Sequence, residues 1–202
     1  FHDIGYVRGL LRDDKKDSYV AEPSGKRITL ATGATDAALM PYHVARGCLF
    51  VQERFAAHAI IDASILANHI EMTRFPVPTD NQYQQVNTFS ALVRAADLIG
   101  QMGDPVYDRK MAKLFTEFVE TGEAQRLGYE NPQDLKNGFP EFFYAQVYPY
   151  ITEGLRFLRR TDEGQQWITS LFHRVQSHQD TPAALAAVDA APNRPHIAVS
   201  NQ

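Results

Sequence analysis

The chain has 202 residues, 44% of them hydrophobic and 22% charged, which suits one domain with its own buried core and excludes a wholly disordered or fibrous chain. Twenty Lys and Arg against 24 Asp and Glu give a net charge of -4, without the basic excess that a phosphate backbone demands, so nucleic acid is not an expected partner. The single cysteine, Cys48, excludes an intrachain disulfide and no apolar run is long enough to span a bilayer, so a reducing, cytoplasmic setting is expected.

The chain opens on Phe1-His2-Asp3-Ile4-Gly5, an abrupt start without initiator Met that predicts further residues upstream. From Ser18 to Leu30 the stretch SYVAEPSGKRITL places a Pro-Ser-Gly turn between β-prone segments, which predicts a small hairpin or an ordered loop. Val44, Cys48, Val51 and Phe55 recur at intervals of three and four and mark one face of a helix introduced by Pro41. A second helix runs through Ile61, Ile65 and Ile70 and is ended by Pro76 and Pro78, leaving PVPTDNQYQQ as a loop.

Phe89, Leu92, Val93, Ala96 and Ile99 give the next helical face, ending near Gly100, and Met111, Leu114, Phe115 and Phe118 give another before Gly122. Phe142, Phe143, Val147, Ile151, Leu155 and Leu158 predict a further helix that Pro149 bends or starts. Trp167, Ile168, Leu171, Phe172 and Val175 supply the last apolar face. The expected fold is therefore all-α over residues 1–178, about six or seven helices with one small hairpin or loop insertion near the N-terminus. Residues 179–202, rich in Ala, Pro, Asp and Asn, read as a mobile or partner-docked tail.

Four sets of residues suggest chemistry. His2-Asp3 joins an imidazole to a carboxylate at the start of the chain, and Asp97 borders the apolar face of a later predicted helix. Imidazole and carboxylate together suit divalent transition metals, Mg or Mn, and a buried carboxylate left unpaired would be costly. His43 and His69 lie on predicted helices between them, and Arg8 and Arg74 are candidates to contact a phosphate through their planar forks of donors. Each has a plainer explanation: helix capping for His2 and Asp3, an ion pair with Arg94 for Asp97, and hydrogen-bonded core positions for His43 and His69. His58 and Asp62 are spaced to pair with each other. The aromatic run Phe142-Phe143-Tyr144 with Tyr148 and Tyr150 reads as core rather than as a base-stacking surface.

In order along the chain, FHDIGYVRG, PYHVARGCLFVQERF, ANHIEMTRFPVP and VRAADLIGQMG resemble successive helices of the HD-domain superfamily of metal-dependent phosphohydrolases. The resemblance implies an HD-like helical bundle in which His2, Asp3 and Asp97 are metal ligands, with the first histidine of the superfamily on a helix upstream of Phe1. It implies a divalent ion (Mn, Fe, Ni, Mg or Zn), a substrate that is a phosphomonoester, nucleotide or cyclic phosphodiester, and a water attacking phosphorus. His43 and His69 then hold a second metal or move protons, and Arg8 and Arg74 contact the substrate. NHIEMTRFP departs from the HHE-x-x-D-G-x-G-Y-P signature of the cyclic-dinucleotide enzymes. The alternative expectation is a non-catalytic HD-like sensory or scaffolding module that binds a nucleotide or a protein partner.

Overall fold

A computed structural model describes residues 1–179. The expected tail, apart from Gln179 at the end of the last helix, lies outside them, as does His196. The described chain is all-α with one hairpin. In order it runs through a 3-10 turn at Ile4–Tyr6, β1 (Ser18–Val20), β2 (Arg27–Thr29), a 3-10 segment at Asp36–Tyr42, α1 (His43–Phe55), α2 (Ala63–Glu71), a 3-10 turn at Asn81–Gln84 and α3 (Phe89–Gly103). It continues through α4 (Tyr107–Thr121), α5 (Glu123–Leu127), α6 (Pro132–Phe142), a π-helical stretch Phe143–Val147, α7 (Tyr148–Leu158) and α8 (Asp162–Gln179). No helix among the described residues is long and apolar enough to cross a membrane.

The hairpin forms as the turn chemistry predicts, with Ser18 opposite Thr29, Tyr19 opposite Ile28 and Val20 opposite Arg27. The helices begin where side chains satisfy their first amide groups. Asp62 accepts from the amides of Ser64 and Ile65, Thr88 from that of Ala91, and Asn131 forms a capping box with Asp134 just before Pro132. Pro149 falls in the first turn of α7, where its missing N–H is harmless, so it starts that helix after the π-helical stretch instead of kinking a longer one.

Two cores result. The larger gathers Ile99 and Met102 of α3, Met111 of α4, Phe139 of α6, Ile151 and Leu155 of α7, and Leu171 and Val175 of α8, with Phe143 and Val147 fully buried between α6 and α7. The aromatic run is part of this core, Phe143 packing on Tyr144, Tyr148 and Phe172. The smaller core joins Val44 and Val51 of α1 to Ala67 and Ile70 of α2.

Three sequence expectations change. Glu123–Leu127 and Pro132–Phe142 form α5 and α6, which periodicity missed because Gly138 and Pro140 interrupt the apolar pattern of α6. Phe89, placed on the core face of α3, is 83% exposed because it is the first helical residue and overhangs the end of the core. Ala96, placed on the same face, is exposed as well, and Ala95 and Leu98 enter the core instead.

Candidate functional site

The turn that carries His2 and Asp3 is held in place from beneath by an arginine. Arg46 of α1 is 0% exposed, and its guanidinium donates from Nε to the Gly5 carbonyl (2.8 Å) and from Nη2 to the Val7 carbonyl (2.9 Å) and to Asp14 Oδ2 (2.9 Å). Nη1 reaches Asp14 Oδ1 and the carbonyl of Val20 in β1. Burial alone would raise the pKa of Asp14. The bonds from Arg46 and from the amides of Val20 and Leu11 outweigh it and hold Asp14 below the usual carboxylate range. One buried ion pair thus joins the N-terminal turn, the hairpin and α1.

Glycines let the turn lie directly on α1. A Cβ on Gly5 would stand 1.8 Å from the His43 carbonyl oxygen, and one on Gly47 would stand 3.2 Å from Ile70 Cγ2 and 3.7 Å from the His2 carbonyl oxygen. Gly5→Ala is expected to cost about 1–3 kcal/mol, the usual penalty for forcing atoms into a packed contact. Urea unfolding measures it, and wild-type stability in that variant would contradict the close approach.

His2 and Asp3 are consequently not on an α-helix, as FHDIGYVRG suggested, but in a turn leading into Ile4–Tyr6. From there they meet Asp97. His2 Nε2 lies 3.1 Å from Asp3 Oδ2 and 3.3 Å from Asp97 Oδ1. The Asp97 side chain is only 13% exposed. Burial raises its pKa, opposed by a hydrogen bond from Gln101 Nε2 and by the charge of His2. The plainer alternative, a pairing of Asp97 with Arg94, does not occur, because Arg94 donates to the carbonyls of Tyr83 and Gln85 and stacks on Tyr150. Neither do His58 and Asp62 pair: His58 Nδ1 accepts from the amides of Ile60 and Ile61, and Asp62 caps α2.

His43 stands near enough to this group that a proton on its ring, once gained, would act on Asp97. Its Nδ1 is 2.6 Å from the Met40 carbonyl. A carbonyl only accepts, so Nδ1 carries the proton and Nε2 keeps its lone pair. Burial lowers the His43 pKa, and the positive charges of Arg74 and His2 lower it further, so the ring is neutral near pH 7. Tyr6 stacks on it at 4.5 Å and 16°. The Tyr6 hydroxyl is pushed up to about 12 by burial and by the carboxylates of Asp3, Glu117 and Asp97.

The remaining expected residues are engaged by other partners. His69 Nδ1 is 2.8 Å from Ser90 Oγ, which also accepts from Asn68 Nδ2, so His69 is seated two helical turns before Asp97 along α3. Arg74 is gripped by Glu71, Nε to Oε1 at 2.7 Å and Nη2 to Oε2 at 2.9 Å, with the Tyr83 hydroxyl donating to Oε1 at 2.6 Å. Arg8 donates to Asp36 Oδ1 at 2.7 Å and to the Ala34 carbonyl.

The donor chemistry suits a divalent ion. Both His2 contacts are direct nitrogen–oxygen contacts between the side chains. Among the described residues no three His, Cys, Asp or Glu side chains are disposed around one ion-sized point, and His2 bridges the two carboxylates. Sequence order had singled out His2, Asp3 and Asp97. It missed Arg46, Gly5 and Tyr6, whose only signals are a charge beside an apolar helical face and the residues immediately after His-Asp.

No curated protein and no solved structure matches the chain. Residues 1–181 match the Npun_R2479-like family, and the chain belongs to that family.

Proposed function

We propose that this protein is an HD-type metal-dependent phosphohydrolase acting on a phosphomonoester, a nucleotide or a cyclic phosphodiester. The observation that carries the reading is the meeting of His2-Asp3 with a buried Asp97 from far along the chain, beside a neutral imidazole. His2, Asp3 and Asp97 would hold a divalent ion (Mn, Fe, Ni, Mg or Zn), and a fully coordinated ion would relieve the cost of the buried carboxylate. When bound, such an ion polarises a phosphoryl oxygen and makes water acidic enough to attack near neutral pH.

The chain's own residues do the rest. His43, protonated on Nδ1, would offer Nε2 to take a proton from the attacking water, and the leaving oxygen, on the opposite side of phosphorus, would take its proton from solvent. His69, seated against Ser90 about two helical turns from Asp97, would serve only a second ion set apart from the first. Arg74, steered by Glu71 and Tyr83, and Arg8 would contact phosphoryl oxygens through guanidinium donors. Cys48, pushed up to about 12 by burial and by Glu71, stays a thiol, in keeping with a cytoplasmic protein.

A second reading, a sensory or scaffolding module that binds a nucleotide or a protein without turning it over, is favoured by one observation. Both candidate phosphate contacts are already engaged, Arg8 by Asp36 and Arg74 by Glu71. Incubation with p-nitrophenyl phosphate and bis(p-nitrophenyl) phosphate separates the two. The enzyme reading predicts turnover that EDTA stops and that one of the five ions restores. Metal uptake or nucleotide binding without any turnover would favour the module.

A further inference from the structure

A cleft of about 510 Å³ opens between the turn at residues 11–15, the hairpin and the second half of α1, and its size is that of a small-molecule site. Its walls are fixed by the chain's own bonds. The buried Asp14 carboxylate accepts from the amides of Leu11 and Val20 as well as from Arg46. Lys15 and Ser18 exchange backbone hydrogen bonds of 2.8 and 3.3 Å, and the Arg12 amide donates to Glu53 of α1 at 3.2 Å.

Three cations, Arg12, Lys15 and Arg27, line the cleft, and among the described residues none of them pairs with a carboxylate. Arg27 is instead held by neutral groups: Nε donates to Ser18 Oγ (2.9 Å), and Nη2 donates to the carbonyls of Ser18 (2.7 Å) and Asp13 (2.9 Å). Those bonds orient the guanidinium and leave its charge uncompensated. Of the acidic residues in the lining, Asp14 is engaged by Arg46 and Glu22 by Lys26, which leaves Asp13 and Glu53.

We propose that this cleft binds a small hydroxylated phosphate monoester, its phosphate held by Arg12, Lys15 and Arg27. A phosphate monoester carries about -1.5 to -2 charges on three acceptor oxygens at neutral pH, more than a single carboxylate offers to three separate cations. A guanidinium already oriented by three bonds loses little freedom when the anion arrives. Asp13 and Glu53 accept hydrogen bonds and suit hydroxyl groups, and Val20, Pro23 and Leu49 give the carbon skeleton apolar surface. The cleft shares no residue with the His2–Asp3–Asp97 group, so the inference stands apart from the metal reading.

The test is a titration of the full chain with glucose 6-phosphate near pH 7 at constant ionic strength, followed by 1H–15N NMR, with glucose and inorganic phosphate run alongside. The sugar phosphate is expected to give saturable shifts at the amides of Lys15 and Gly25 and at Arg27 Nε–H. Inorganic phosphate should shift the same signals and saturate at higher concentration, and glucose should shift none. Lys15→Gln alters a side chain with no partner among the described residues, so it should fold as the wild type does and bind about 10–100-fold more weakly, the loss of one charged hydrogen bond. Arg27→Gln should weaken binding at least as much. The absence of saturable shifts, or wild-type affinity in Lys15→Gln, would overturn the proposal. So would shifts confined to amides around Asp97 and Arg74, which would assign the phosphate to the site proposed above, and inorganic phosphate binding as tightly as the ester would overturn the assignment to a hydroxylated ester.

Discussion

Arg46→Met is expected to destabilise the protein by about 3–5 kcal/mol, because it leaves the fully buried carboxylate of Asp14 without its counter-charge. It also orphans the carbonyls of Gly5, Val7 and Val20. Urea unfolding followed by circular dichroism measures the loss. The double variant Arg46→Met with Asp14→Leu should recover part of it, since removing both charges is far less costly than removing one. If Arg46→Met is as stable as wild type, Arg46 is not the anchor of the N-terminal turn. The same pair sets an acid limit. Asp14 titrates lower folded than unfolded, so its stabilisation is complete above the ordinary carboxylate pKa, about 3.9. It is lost as pH falls through the depressed folded value. Stability measured from pH 5 downward should therefore fall more steeply in the wild type than in the double variant.

The second large effect is on function. Asp97→Asn keeps the shape of the side chain and removes its charge. Phosphoester turnover is expected to fall by more than about 100-fold, beyond the loss typical of a group that only supports a ligand. Thermal stability should not fall with it, because the variant no longer buries an ionised carboxylate. Retained turnover would make Asp97 a structural residue. A large drop in Tm would show that its contact with His2 holds the fold.

What could be read in the sequence divides along physical lines. Apolar spacing reports one face of a helix, and it found α1, α4, α7 and α8 by their apolar faces, whereas it located α3 on a face where Phe89 and Ala96 are exposed and missed the buried Ala91, Ala95, Leu98 and Met102. It failed at α6, where Pro140 and Gly138 break the pattern although tertiary packing buries Phe139 and Leu135. Of the site, His2, Asp3 and Asp97 were legible as residue types in order, and the structure brings those three together. Arg46 was not legible. A lone arginine on an amphipathic helix looks solvated until Asp14, thirty-two residues earlier, is folded beneath it. Nor was the separation of Arg94 from Asp97, since helical spacing allows the pair and the carbonyls of Tyr83 and Gln85 compete successfully for the guanidinium. Charges whose partners are distant backbone groups leave no local trace.

The most direct test of the central claim is the divalent-ion content of the full chain after loading with Mn(II) and dialysis, measured beside Asp97→Asn. The account predicts about one equivalent or more in the wild type and less than about a tenth in the variant, because one of three donors and half the negative charge of the set are gone. Equal metal content in the two proteins, or none in either, would contradict it.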